Sequence, residues 1–268
     1  MYQKSDEWLG AVGRSRLLGA KNFQYICGPI CGILSSTLFL VSLAVAGLLP
    51  PVRANQTAED VQQFWIARES RARWGAAIMM ISATFYLPYT ASVSAQLRRI
   101  PNLPYLATSM QLASGAAGIF TFITPAQVLA LIAFRLERSA ESTQTLTDLF
   151  FFFLMMPWPT FIVQDWIWAY AMLIDEQKKP IFPRFMAIFN IIVSGLYLCT
   201  LGMHATKSGA VAYHGGLSFW YVGIAFVLQI ILDSVCLFFA IRTDPMDPTV
   251  HCTSQRKDSG GTLDGNSV

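Results

Sequence analysis

The sequence predicts an all-α fold: a polytopic membrane bundle of about six transmembrane helices, with N- and C-termini in the cytoplasm. A short interfacial helix is expected in the first outer loop. Three observations carry this expectation. Charged residues make up only 13% of the 268 positions and hydrophobic ones 54%, whereas a soluble domain carries about 25% charge. Six apolar runs, residues 26–49, 74–97, 105–134, 149–174, 185–203 and 219–241, each approach or exceed the roughly 20 residues that cross a bilayer. The nineteen basic residues divide unevenly, twelve on the side of both termini and seven on the other, which the positive-inside rule assigns to cytoplasm and exterior respectively. The expected domains are a basic segment over 1–25, the six-helix domain over 26–241 and a disordered polar tail over 242–268.

Residues 1–24 are polar and basic with scattered Trp8, Leu9, Leu17 and Leu18, a composition that suits a surface amphipathic helix or a solvated tail. After the first span, Val52-Arg53-Ala54 imitates a signal-peptidase site, but the apolar run before it far exceeds the roughly 7–15 residues of a signal h-region. In the first outer loop Thr57 and Asp60 have capping-box spacing, and Val61, Phe64, Trp65 and Arg68 recur at helical spacing. They predict an interfacial helix over about 58–71. Asn55-Gln56-Thr57 matches the glycosylation sequon.

The second span carries Ser82, Tyr86, Thr90 and Ser94 four residues apart, with Tyr89 beside them. Such a stripe should face other helices, where each contact is worth about 0.6 kcal/mol. In the third span Ala107, Gln111 and Gly115 share a row suited to close helix packing, and Pro125 is expected to bend or end the span. The fifth places Asn190, Ser194 and Tyr197 at helical spacing. The three cytoplasmic exits repeat a Pro-x-x-Pro spacing at Pro101 and Pro104, Pro180 and Pro183, and Pro245 and Pro248. Helix stops explain this at least as well as a repeated hairpin does.

The organising stretch is the fourth span. Pro157-Trp158-Pro159 interrupts it: neither proline has an N–H, so the carbonyls of Phe153 and Met155 lose their helical partners and a break is expected. In lipid such a break must face protein or a polar cavity. Further along comes Asp165, next to Gln164, at a depth where an ionised carboxylate costs about 3 kcal/mol. The sixth span places Gln229, Asp233 and Cys236 on one face. Asp233 precedes Arg242 by about nine residues, Asp165 stands as far before Asp175, and the same count back from Arg98 reaches Tyr89 and Thr90. A polar layer near mid-membrane is therefore expected. Its candidate ligand- or proton-binding residues are Asp165, Asp233, Gln229, Gln164, Tyr89, Thr90, Tyr86 and Asn190. With no Lys or Arg in the spans to neutralise them, the acids are expected to be protonated or held by hydrogen bonds.

Catalytic signatures are missing. Three histidines, His204, His214 and His251, are too few for a membrane di-iron centre, and no His-Glu-x-x-His occurs. Ser114 lacks the first glycine of a Gly-x-Ser-x-Gly elbow. Asp165 and Asp233 lack the local context expected of an intramembrane aspartyl dyad. Four of the five cysteines lie in spans, so neither disulfides nor a metal site is expected, and no cofactor is called for. The favoured reading is binding or transport of a small molecule or proton. The alternatives are a membrane-embedded enzyme on a lipophilic substrate with an Asp general acid, and an accessory or assembly subunit. Expected partners are the lipid bilayer of a plasma or inner membrane, a lipophilic or small-molecule ligand and a second copy of the chain; nucleic acid is not among them.

Overall fold

A computed structural model describes residues 19–244. These are helical, with no strand among them, and six helical stretches are long and apolar enough to cross a membrane. The chain is a multi-pass membrane protein. The expected surface helix over 1–24, apart from its last turn, lies outside the described residues, as do Pro245, Pro248, His251, Cys252 and nearly all of the polar tail.

The first span, α1 (Ala20–Ala46), starts earlier than its apolar run because Pro29 is absorbed in a π-helical turn over Ile26–Ile30. A wider turn of this kind accommodates a residue that donates no hydrogen bond. At its far end Arg71 donates to the carbonyls of Val45 and Ala44, both at 3.0 Å, satisfying acceptors that a helix C-terminus leaves open.

The helix between the first two spans, α2 (Ala58–Ile66), is capped by Thr57, whose hydroxyl accepts from the Asp60 N–H at 3.2 Å. It ends at Ile66 rather than Arg71, because Arg68 leaves helical geometry and Glu69 opens the next helix, α3 (Glu69–Leu97). Val61 and Trp65 are buried, while Glu59, Asp60 and Gln63 are exposed, the two-sided pattern of a helix lying on a larger body.

The third span is α4 (Tyr105–Ala117) followed by α5 (Phe120–Phe134). Pro125 does not mark the interruption. The chain tightens at Gly118, whose N–H is shared between the Ser114 and Gly115 carbonyls at 3.0 Å each, and Thr121 N–H bonds Gly118 O at 3.1 Å. Pro125 then deprives only the Thr121 carbonyl, near the start of α5, and the helix continues to Phe134.

The fourth span is broken as its prolines require: α6 (Ala140–Met155) stops at Met156, and α7 (Trp158–Ile174) restarts with Pro159 in its first turn, where a missing N–H costs nothing. The fifth, α8 (Arg184–Leu196), runs into a 3-10 segment, Tyr197–His204. The sixth, α9 (Val222–Arg242), is preceded by a π-helical turn, Gly216–Tyr221.

Hydrogen bonds tie the ends of the bundle. At one, Trp65 Nε1 donates to Thr147 Oγ1 at 2.8 Å and Gln62 Nε2 to Arg138 O at 2.6 Å, holding α2 over α6. At the other, Arg99 donates to Ala240 O at 2.8 Å and pairs with Asp244 at 3.7 Å, joining α3 to α9. Between them the core is mainly apolar with scattered buried Ser and Thr, and its buried carboxyls and amides gather largely in one layer.

Candidate functional site

Two hydrogen-bonded sets build that layer. On α7, Gln164 and Asp165 are consecutive and both buried, and each anchors one set. Tyr86 of α3 donates to Gln164 Oε1 at 2.6 Å. Thr90, one turn on, receives Gln164 Nε2 at 3.5 Å and Gln111 Nε2 of α4 at 3.2 Å. In the second set, Gln229 of α9 donates to Asp165 Oδ2 at 2.9 Å and to Asn190 Oδ1 of α8 at 3.4 Å. Asn190 Nδ2 donates to Asp233 Oδ1 at 3.2 Å, and Tyr197 closes the set by donating to Gln229 Oε1 at 2.5 Å.

Five of the six spans thus supply a polar side chain. The first supplies space instead: a Cβ on Gly32 would collide with Ser234 Oγ and the Tyr89 ring, so its bare backbone lets α1 close on α3 and α9. Gly115 plays the same part for α4, since a Cβ there would strike Thr90 Oγ1 and press on the Gln164 amide.

Both carboxyls face one small space. Tyr86, Tyr89, Gln164, Asp165, Gln229 and Asp233 line it with Phe161, Phe226 and Ile230, and its volume is about 10 Å³, close to the room one water needs. Neither Lys, Arg nor His is among the lining residues, and Asp165 and Asp233 are 7% and 2% exposed. Each carboxyl accepts one amide hydrogen bond, through Asp165 Oδ2 and Asp233 Oδ1. The other oxygen of each is left for a proton or a bound molecule, and a neutral carboxyl is itself a donor.

All eight residues proposed from sequence lie in or beside this layer. Asp165, Asp233, Gln229 and Asn190 form one set, Gln164, Tyr86 and Thr90 the other, and Tyr89 lines the space between. Tyr197 and Gln111 also belong. Tyr197 follows Asn190 by two helical turns, which was its only sequence signal; Gln111 resembled part of a small-residue packing row. The hydroxyl stripe of α3 divides: Tyr86 and Thr90 serve the layer, while Ser82 bonds Met79 O at 2.7 Å and Ser94 bonds Thr108 O at 3.0 Å.

A separate cavity of about 200 Å³ lies at the end of the bundle near α2, where Asp148, His204, Lys207 and Tyr213 meet. Burial, and then the Asp148 charge, hold the Tyr213 phenol well above its ordinary range. Beside it His214 Nδ1 accepts the Ala54 N–H at 3.1 Å, which requires the neutral ring. Among the described residues no group of three or more His, Cys, Asp or Glu is placed to hold a metal ion. No family model, curated protein or solved structure matches the chain.

Proposed function

We propose that the protein is a membrane carrier or binding protein that takes up a proton, or a small molecule accompanied by one, at the Asp165–Asp233 layer. The observation that supports this reading most is the shared cavity: two carboxyls from separate helices open on one space without a cation beside them. Intramembrane acids so placed are functional candidates by default, and a broken helix beside mid-membrane polar groups is a common carrier arrangement. The cavity holds about 10 Å³, which suits a proton and one water. A larger substrate would need the bundle to open. In this reading both termini are cytoplasmic in a plasma or inner membrane, as the basic residues favour, and α2 rests at the outer interface.

The test is the decay of an imposed pH gradient in proteoliposomes carrying an internal pH dye, with the membrane potential clamped. The wild-type protein is expected to dissipate a pH gradient faster than protein-free vesicles, and Asp165→Asn and Asp233→Asn, which keep a hydrogen-bonding group but cannot titrate, are expected to abolish the difference. Wild-type flux no faster than empty vesicles, or unchanged flux in both folded variants, would overturn the reading.

The tightness of the layer favours a second reading, an accessory subunit whose polar groups only specify packing. It predicts that Asn variants behave as wild type in every assay, whereas Asp165→Leu and Asp233→Leu destabilise the bundle by removing an acceptor from the Gln229 and Asn190 amides respectively.

A further inference from the structure

Beside the helix break lie buried polar side-chain atoms without a hydrogen-bond partner among the described residues. A cavity of about 30 Å³ lies against it, bounded by Thr121, Met155, Pro157, Trp158, Tyr197 and Phe226 among others. Two of its lining residues carry buried polar atoms without a hydrogen-bond partner among the described residues: Trp158 Nε1 and Thr121 Oγ1. Thr121 is 6% exposed, yet its hydroxyl makes none of the bonds to a preceding carbonyl that usually satisfy a helical threonine. A third polar group comes from covalent structure, since Pro159 has no N–H to offer the Met155 carbonyl. Indole nitrogen can only donate, a free carbonyl can only accept, and a hydroxyl does both. A buried group left in this state costs as much as a lost hydrogen bond, and lipid supplies no water to relieve it.

Phe39, Met155 and Gly223 also line a second cavity of about 70 Å³, whose remaining wall includes Leu40, Leu43, Leu49, Trp220 and Ile224 and is almost wholly apolar. Leu40, Trp220 and Ile224 are exposed on the flank of the bundle, which faces hydrocarbon in a membrane. The two cavities share the wall of Phe39, Met155 and Gly223; exposed apolar side chains flank the second, and the unpartnered Trp158 Nε1 and Thr121 Oγ1 belong to residues lining the first.

We infer that the two adjoining cavities act as one passage that binds a slender lipophilic molecule bearing an uncharged oxygen head group, a hydroxyl or a carbonyl, which enters from the bilayer and seats its head at Trp158 and Thr121. Trp158 Nε1–H donates to the head-group oxygen. A head-group hydroxyl also donates to the Met155 carbonyl, and the tail lies between Leu43 and Trp220. A charged head is disfavoured, because no Lys, Arg, Asp or Glu lines either cavity. The site does not require either carboxyl to titrate, although Tyr197 touches both the passage and Gln229.

The experiment is photolabelling of the full chain in lipid nanodiscs with two probes of equal length, a long-chain alcohol and a plain alkane, each bearing a diazirine in the chain. The alcohol is expected to label the α6–α7 junction and the start of α9 at lower concentration than the alkane, and unlabelled dodecanol to compete. Thr121→Val, which removes the hydroxyl at near-constant shape, and Trp158→Phe, which removes the indole donor and keeps an aromatic ring, should each raise the half-saturating alcohol concentration about fivefold, and Thr121→Val should leave alkane labelling unchanged. Asp165→Asn should leave both unchanged, which separates this site from the proton reading. Equal labelling by alcohol and alkane, or an unshifted alcohol curve in the folded variants, would overturn the inference; should Trp158→Phe fail to fold, Thr121→Val decides alone.

Discussion

Gly115 shows how much of the polar layer rests on atoms that are missing. Its hydrogen leaves room for Thr90 to stand between Gln111 and Gln164, and a methyl group there would occupy the position of the Thr90 hydroxyl. Gly115→Ala is therefore expected to destabilise the bundle by about 1–3 kcal/mol, as overpacking does, measured as detergent-induced unfolding. His214 gives a pH-dependent counterpart. Burial, and then the charge of Arg53, lower its pKa from the ordinary 6.5, so the folded chain binds the proton less readily than the unfolded one. Its contribution is complete above pH 6.5, and is lost as pH falls through the lower folded-state value. The thermal stability of the wild type should thus fall on acidification through that window more than that of His214→Phe; parallel profiles would show that the Ala54 bond does not govern the loop. Asp165 and Asp233 were legible because a carboxyl interrupts an apolar run. Tyr197 stands at helical spacing from Asn190, but its bond to Gln229 was not legible, since an aromatic residue in a span looks the same whether it packs or bonds.

At the level of elements, cap and breaker chemistry fixed most boundaries. Thr57 starts α2 where its capping-box spacing requires, and Thr57→Ala is expected to cost about 1 kcal/mol, seen as faster proteolysis at the 53–57 turn. Pro157 and Pro159 divide α6 from α7 because each removes a donor in hydrocarbon, where no water replaces it. Pro125 and Pro29 have the same chemistry but different consequences. One falls near the start of α5, where little is lost, and the other is taken up by a π turn. The sequence identifies a proline; whether the helix breaks depends on the neighbouring turns, as the tightening at Gly118 shows. Span positions were legible for a simpler reason: hydrocarbon tolerates few charges, so apolar length reports them directly.

For the whole molecule, the counts back from Arg98, Asp175 and Arg242 anticipated a common depth for polar groups on three spans, because helices of equal rise crossing one slab keep residue number proportional to depth. Depth is a coordinate that sequence carries; rotation about each helix axis is not. That is why the pairing of Asn190 with Asp233, and of Gln111 with Thr90, emerged only with the packed bundle. The central claim is that Asp165 and Asp233 act as one unit, joined through Gln229 and Asn190 around one water-sized space. A double-mutant cycle tests it most directly, with Asp165→Asn, Asp233→Asn and the double variant unfolded reversibly in mixed detergent micelles. The account predicts a coupling energy of about 0.5–3 kcal/mol, the range for residues in one hydrogen-bond network. Additivity to within about 0.3–0.5 kcal/mol, as for independent distant sites, would contradict it.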